Sequence, residues 1–172
     1  MKTQAQISAI IEELKKLYPD AICSLDYEKD YELLFSVRLA AQCTDARVNL
    51  VTPALFARFP TLEAFAAATP EEVGEYVRSC GFWRAKARDI VGSAQMLLHD
   101  YGGRVPDTME ALLRLPGVGR KTANLVLGDV YGKEGYVCDT HCIRITGRLG
   151  ITDGSKDPLK VEQQLRKTIP PE

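Results

Sequence analysis

The chain has 172 residues, 45% hydrophobic and 26% charged, with a formal net charge of −1. That length buries one good core or two small ones, and the ordinary globular composition excludes a disordered or fibrous chain. No apolar run approaches transmembrane length. The overall charge is also unlike the basic balance usual in nucleic-acid-binding domains.

Helical periodicity runs nearly throughout, with no convincing strand and no repeat of ~20–50 residues. Met1 to Lys16 is an amphipathic pattern, with Ile7, Ile10, Ile11, Leu14 and Leu17 on one stripe. It does not have the form of a signal peptide, which makes the cytoplasm the expected location. Leu33, Leu34, Val37 and Ala41 mark a second helix. Thr44 is placed to cap a third through Val48, Val51 and Leu55, where Pro53 should kink or split it. Thr69-Pro70-Glu71-Glu72 combines a cap, a first-turn proline and acidic first-turn residues. Ile90, Val91, Ala94, Leu97 and Leu98 trace a longer helix that should stop at Tyr101-Gly102-Gly103. Asp107 is the expected cap of the next helix, with Glu110 completing a capping box. Asp157-Pro158 should open the last helix, through Leu165 to Ile169.

The most informative stretch is Leu115-Pro116-Gly117-Val118-Gly119-Arg120-Lys121-Thr122-Ala123. Apolar Met109, Leu112 and Leu113 precede it at helical spacing; Ala123, Val126, Leu127 and Val130 follow on one face. The glycines between can take positive φ and bring backbone close to another surface. Their N–H groups and the new helix N-terminus together offer an anion site, suited to a nucleic-acid phosphate held without reading sequence. Charge supports this locally: residues 110–150 carry Arg114, Arg120, Lys121, Lys133, Arg144 and Arg148 against four acids.

Arg120 and Lys121 lie in a first turn, where the helix dipole disfavours cations by ~0.3–1 kcal/mol. A residue that breaks a local rule is a functional candidate. Arg120 reads as a phosphate contact. Lys121 reads as a nucleophile, since an amine reacts once its charged form is destabilised. The dipole alone is too weak for that, so Arg120 and desolvation would have to do most of it. Asp139, eighteen residues on, follows the apolar stub Tyr136-Val137-Cys138 and precedes a helical pattern carrying Ile143 and Leu149. It fits a plain N-cap equally well. Paired with Lys121, it becomes the candidate proton acceptor. Cys23, Cys43, Cys80, Cys138 and Cys142 are scattered and odd in number, which argues against a disulfide framework. Cys138-x-x-His141-Cys142 lacks a second cluster, so no metal is expected there.

The hairpin with Lys121, the segment Val137-Cys138-Asp139-Thr140-His141-x-x-Arg144, and Leu39-Ala40-Ala41-Gln42-Cys43-Thr44-Asp45 resemble endonuclease III. That family is a DNA glycosylase with lyase activity, in the helix–hairpin–helix superfamily. The likeness runs in the family's order from about residue 5 to residue 170. It implies an all-α fold of two helical lobes flanking a DNA-binding cleft. One lobe is a six-helix domain near 23–134 with the helix–hairpin–helix at about 108–131; the other joins 1–22 to 135–172.

By the same resemblance Lys121 and Asp139 are catalytic, and Gln42 fills the gap left by a flipped nucleotide. Phe82 stands where the family often has a leucine wedge. Gly117, Val118, Gly119, Arg120, His141 and Arg144 are expected to contact DNA. The implied partner is double-stranded DNA with a damaged base or an abasic site, bound by a monomer, with no membrane. Family members often carry a [4Fe–4S] cluster on four cysteines just beyond where this sequence stops. None of the five cysteines has that spacing, so either the chain is a fragment or the cluster is absent. The competing functions are a monofunctional glycosylase, a non-catalytic helix–hairpin–helix DNA-binding module and a purely structural helical protein. Lys121 argues against the first, Gln42 and Asp139 against the second.

Overall fold

The structure, a computed structural model, describes residues 1–170. Among them there are helices and turns but no strand. In chain order the helices are α1 (Gln4–Leu17), α2 (Asp30–Ala40), α3 (Asp45–Arg58), α4 (Leu62–Ala67) and α5 (Pro70–Val77). A 3₁₀ turn (Arg78–Cys80) leads to α6 (Trp83–Asp100), α7 (Met109–Leu112), α8 (Arg120–Asp129), α9 (Thr140–Arg148) and α10 (Pro158–Thr168).

Local chemistry sets most of these boundaries. Thr44 accepts from Arg47 N at 3.2 Å, and Thr69 and Glu72 form a reciprocal capping box. Asp157 accepts from Leu159 N at 2.9 Å. Such caps are worth ~0.5–2 kcal/mol each. Helix α6 ends on a left-handed pair, Gly102 (φ 60°) and Gly103 (φ 77°), with Gly103 N donating to Leu97 O at 2.8 Å.

Two expectations change here. Helix α3 runs through Pro53 without splitting, held by its packing against α2 and α5. The cap of α7 is Thr108, not Asp107: the Thr108 hydroxyl accepts from Ala111 N at 3.3 Å, which starts the helix one residue later.

The chain divides into two compact units, Cys23–Gly132, and Met1–Ile22 together with the chain from Lys133 onward. The first holds α2 to α8. Helix α2 lies inside it and is buried nearly all round, from Tyr31 through Ser36 and again at Leu39. Ala41, expected on its stripe, lies past the helix end and is exposed. Phe65 sits at the centre of an aromatic cluster, 5.0 Å from Phe35 and 5.1 Å from Phe59 between ring centroids. Such pairs add ~0.5–1.5 kcal/mol each beyond their burial.

The second unit has a smaller core of Ile7, Cys138, Ile151, Val161 and Leu165. The chain ends are tied within it, Lys2 N donating to Gly150 O at 2.8 Å and Gln4 Nε2 to Thr168 O at 2.9 Å. The stripe of α1 is covered only in part: Ile7 is buried, while Leu14 and Leu17 are exposed.

Candidate active site

The loop between α7 and α8 is a type II turn built by its sequence. Pro116 fixes the first corner, Gly117 takes φ +71° at the second, and Val118 N closes the turn on Leu115 O at 3.2 Å. Pro116 rests on α6: its carbonyl accepts from Ser93 Oγ at 3.3 Å, and its ring would lie 3.3 Å from a Cβ at Gly92. Gly117 lies on the ion pair of Arg38 and Asp89, whose Nη2–Oδ2 distance is 2.7 Å. A Cβ at Gly117 would fall 2.5 Å from Asp89 Oδ2 and closer still to Arg38 Nε. The sequence gives no sign of this support, because its two partners stand far apart in the chain.

The two hairpin glycines differ. Gly119 has φ −102°, ordinary extended backbone, and no atom lies within 4 Å of a Cβ built there. The protein's own sterics therefore do not require glycine at 119. Gly119 is the N-cap of α8 and supplies no side-chain cap. The N–H groups of Lys121 and Thr122, in the first turn, donate to no acceptor among the described residues. The side chains of Arg120 and Lys121 are exposed beside them. Val118 is half-buried against the core.

The same unit carries Gln42 and Phe82. They are the only non-glycine residues with positive φ among those described, at 53° and 46°. A left-handed backbone at such a residue costs of order 1–3 kcal/mol and persists only where the surroundings enforce it. Gln42 follows the end of α2; Phe82 follows Gly81 (φ 63°) and is the N-cap of α6. Both are exposed, Phe82 at 73%. Its neighbour Trp83 packs instead: a Cβ at Gly74 would lie 2.7 Å from Cε3 of the indole. Arg84 and Arg78 lie over that ring, 4.3 and 5.5 Å from its centroid.

The other unit carries Asp139, His141 and Arg144. Cys138 N bonds back to Tyr136 O at 3.0 Å and Asp139 N to Val137 O at 2.9 Å, two tight turns that deliver Asp139 to the start of α9. There Asp139 Oδ1 accepts from Cys142 N at 2.8 Å, as an N-cap should, and Oδ2 makes no hydrogen bond among the described residues. Arg144 and His141 are exposed and lie 3.2 Å apart on the same helix. Arg144 continues into a groove of about 550 Å³ that also includes Arg148 and Lys156. Lys156, in the loop just before the Asp157 cap, carries no pattern in the sequence that marks it as lining a groove.

A [4Fe–4S] cluster needs four thiolates. The thiols of this chain occur as two pairs, Cys43 with Cys80 in one unit and Cys138 with Cys142 in the other, with Cys23 apart. Burial first, then Cys142, pushes the Cys138 thiol up to about 12, and burial likewise raises Cys142. Among the described residues no group of three or more His, Cys, Asp or Glu could hold a metal ion. The thiols present do not fit the cluster.

Two helices joined through a turn of this kind make a helix–hairpin–helix motif, and residues 35–171 match the HhH-GPD superfamily base excision DNA repair proteins. The chain belongs to that family. Within it the relatives are endonuclease III proteins. That of Synechocystis sp. is 49% identical over 158 residues, covering 91% of this chain and 72% of the relative. That of Bacillus subtilis is 40% identical over 167 residues, covering 97% and 76%. The solved structure of a trapped endonuclease III–DNA covalent intermediate superposes with a TM-score of 0.91 at 43% identity, covering 99% of this chain and 80% of that one. Helices are the only regular elements among the described residues, as in the all-α expectation, and none is long and apolar enough to cross a membrane.

Proposed function

We propose that this protein is a bifunctional DNA glycosylase and abasic-site lyase of base excision repair, acting on oxidised pyrimidines in duplex DNA. The observation that carries the reading is the start of α8. Its N-cap has no side chain, the N–H groups of Lys121 and Thr122 donate to no acceptor among the described residues, and the Lys121 side chain is exposed beside them. A DNA phosphate supplies the missing acceptor. Gly117, Val118, Gly119 and Arg120 form that phosphate cradle, with His141 and Arg144 as further DNA contacts from the second unit. A monomer bound to duplex DNA with a damaged base or an abasic site is the complex this reading implies.

In the reaction, Gln42 and Phe82 occupy the space left when the damaged nucleotide is turned out of the stack, a step that costs a few kcal/mol and less for a damaged pair. The Lys121 amine attacks C1′ of the sugar while the bond from C1′ to the base breaks and the base departs with the electron pair. Asp139 is fixed in place by the helix it caps. It stabilises the positive charge that develops on the sugar and accepts the proton that the amine releases. The C1′–O4′ bond then breaks, O4′ taking up a proton as the sugar ring opens, and the C1′=N Schiff base that forms acidifies the C2′ protons; loss of one of them forms the C2′=C3′ double bond, expels the 3′-phosphate and nicks the strand. Lys121 is exposed in the free protein, so the desolvation this chemistry asks for comes from the bound DNA.

Borohydride trapping on a duplex carrying an oxidised pyrimidine tests the whole scheme. A covalent protein–DNA adduct is expected, and none from Lys121→Gln, which leaves the hairpin backbone intact. A monofunctional glycosylase would release base with no adduct; a binding module would do neither.

A further inference from the structure

Lys86 is buried, 1% exposed, in the second turn of α6. A lone buried ammonium is unfavourable unless its hydrogen-bonding capacity is well used. Its Nζ donates to Leu39 O at 2.8 Å and to Cys80 O at 2.5 Å. No carboxylate pairs with it among the described residues. Burial pushes its pKa down, as expected of a charge held by carbonyls alone. The two carbonyls are unrelated in sequence but not in role. Leu39 stands three residues before Gln42, and Cys80 two before Phe82. The Cys43 and Cys80 thiols are also neighbours there: burial first, then Cys43, pushes the Cys80 thiol up to about 11. Lys86 thus joins the end of α2 to the 3₁₀ turn, the two segments that lead directly into the only left-handed non-glycine residues described.

We infer that Lys86 is a positioning residue: by binding one carbonyl at the end of α2 and one in the 3₁₀ turn, just ahead of each left-handed residue, it fixes the spacing between Gln42 and Phe82, and with it the shape of the wedge offered to duplex DNA. This rests on the roles proposed above for Gln42 and Phe82. Lys86 itself is sealed from the substrate and acts only through the two segments. An apolar side chain of equal length would fill the cavity but leave both carbonyls unbound and the segments free to drift. A misplacement of about 1 Å is enough to cost a large factor in rate.

The test uses the full chain, with Lys86→Met compared on two substrates. One is single-turnover base excision from a duplex bearing an oxidised pyrimidine, which needs the wedge. The other is nicking at a preformed abasic site in a single-stranded oligonucleotide, which needs Lys121 but no wedge. The expected result is a loss of about tenfold or more on the duplex, with the single-strand reaction little changed. In a Gln42→Ala/Phe82→Ala background, Lys86→Met should cost nothing further on the duplex, since the groups it positions are gone. Equal losses on both substrates, or a full additional loss in that background, would overturn the inference. If the Gln42→Ala/Phe82→Ala protein excises as fast as the parent, the wedge assignment itself fails and the role of Lys86 falls with it. Should Lys86→Met not fold, Lys86→Gln is read in the same way: a donor that reaches one carbonyl predicts a smaller loss, confined to the duplex.

Discussion

The two hairpin glycines look alike in sequence, and the structure predicts opposite consequences for replacing them. In Gly117→Ala the new residue must hold φ at +71°, a left-handed conformation that costs an L-residue ~1–2 kcal/mol. Its methyl would also meet Asp89 Oδ2 at 2.5 Å, so the Arg38–Asp89 pair has to open. Each of those side chains is 20% exposed, and losing such a pair adds ~1 kcal/mol. The sum is ~2–3 kcal/mol, and at ~4–8 °C per kcal/mol for a unit of this size the midpoint falls by ~10–20 °C. Gly119→Ala meets neither obstacle: its φ is ordinary and its Cβ points into open space. The cost is the poorer N-cap alone, ~0.5–1 kcal/mol, a shift of a few degrees. On DNA the order reverses. The Gly119→Ala methyl lies where a phosphate would meet the backbone, so binding should weaken although the fold is intact. Thermal unfolding followed by circular dichroism, with DNA titrations at several salt concentrations, measures both effects. Equal midpoint losses in the two variants, or unchanged DNA binding by Gly119→Ala, would refute the reasoning.

Three further outcomes are expected. Asp139→Asn should lower excision and nicking by orders of magnitude at an unchanged melting temperature, because Asn caps a helix about as well as Asp; a turnover equal to that of the parent protein would leave Asp139 a cap and nothing more. Gln42→Ala should weaken binding to lesion-bearing duplex more than to single strands, and a fluorescence titration showing equal losses would reassign it to packing. The loop after α9 should respond to acid. Hydrogen bonds from Lys160 first, then from Ser155 N, hold the Asp153 carboxyl at about 2. Its contribution is complete above the ordinary carboxylate value of ~3.9 and is lost as the pH falls through about 2. Amide shifts of Asp153 and Ser155 followed by NMR should move in that window, and Asp153→Asn should abolish the movement.

What the sequence made legible was local. The caps at Thr44, Thr69, Asp139 and Asp157 are contacts across two or three residues, and the glycine stop after Tyr101 is likewise a short-range bond. Asp107 and Thr108 are adjacent and both suited to cap α7, and only the backbone decides which one reaches Ala111 N. What stayed hidden depends on residues distant in the chain. In Trp83-Arg84-Ala85-Lys86-Ala87-Arg88 charges fall on every side, so a buried Lys86 cannot be told from a solvated one. The rest of Arg38 and Asp89 against Gly117, and the left-handed turns at Gln42 and Phe82, are likewise made by tertiary neighbours. Lys121 stands out in the sequence as a cation in a first helical turn and Gln42 only through the family resemblance, whereas the surroundings of both come from the fold.

Trp83 is the chain's one tryptophan, and it adjoins Phe82. Its indole is pressed against Gly74, with the Arg84 guanidinium 4.3 Å from its ring centroid. The protein therefore carries a native optical probe at the base of the proposed wedge. Any motion of that turn on meeting DNA changes the distance between a fluorophore and a neighbouring cation, and so its emission. The unmodified protein is thus suited to stopped-flow fluorescence, in which insertion of the wedge could be timed apart from the chemistry at Lys121.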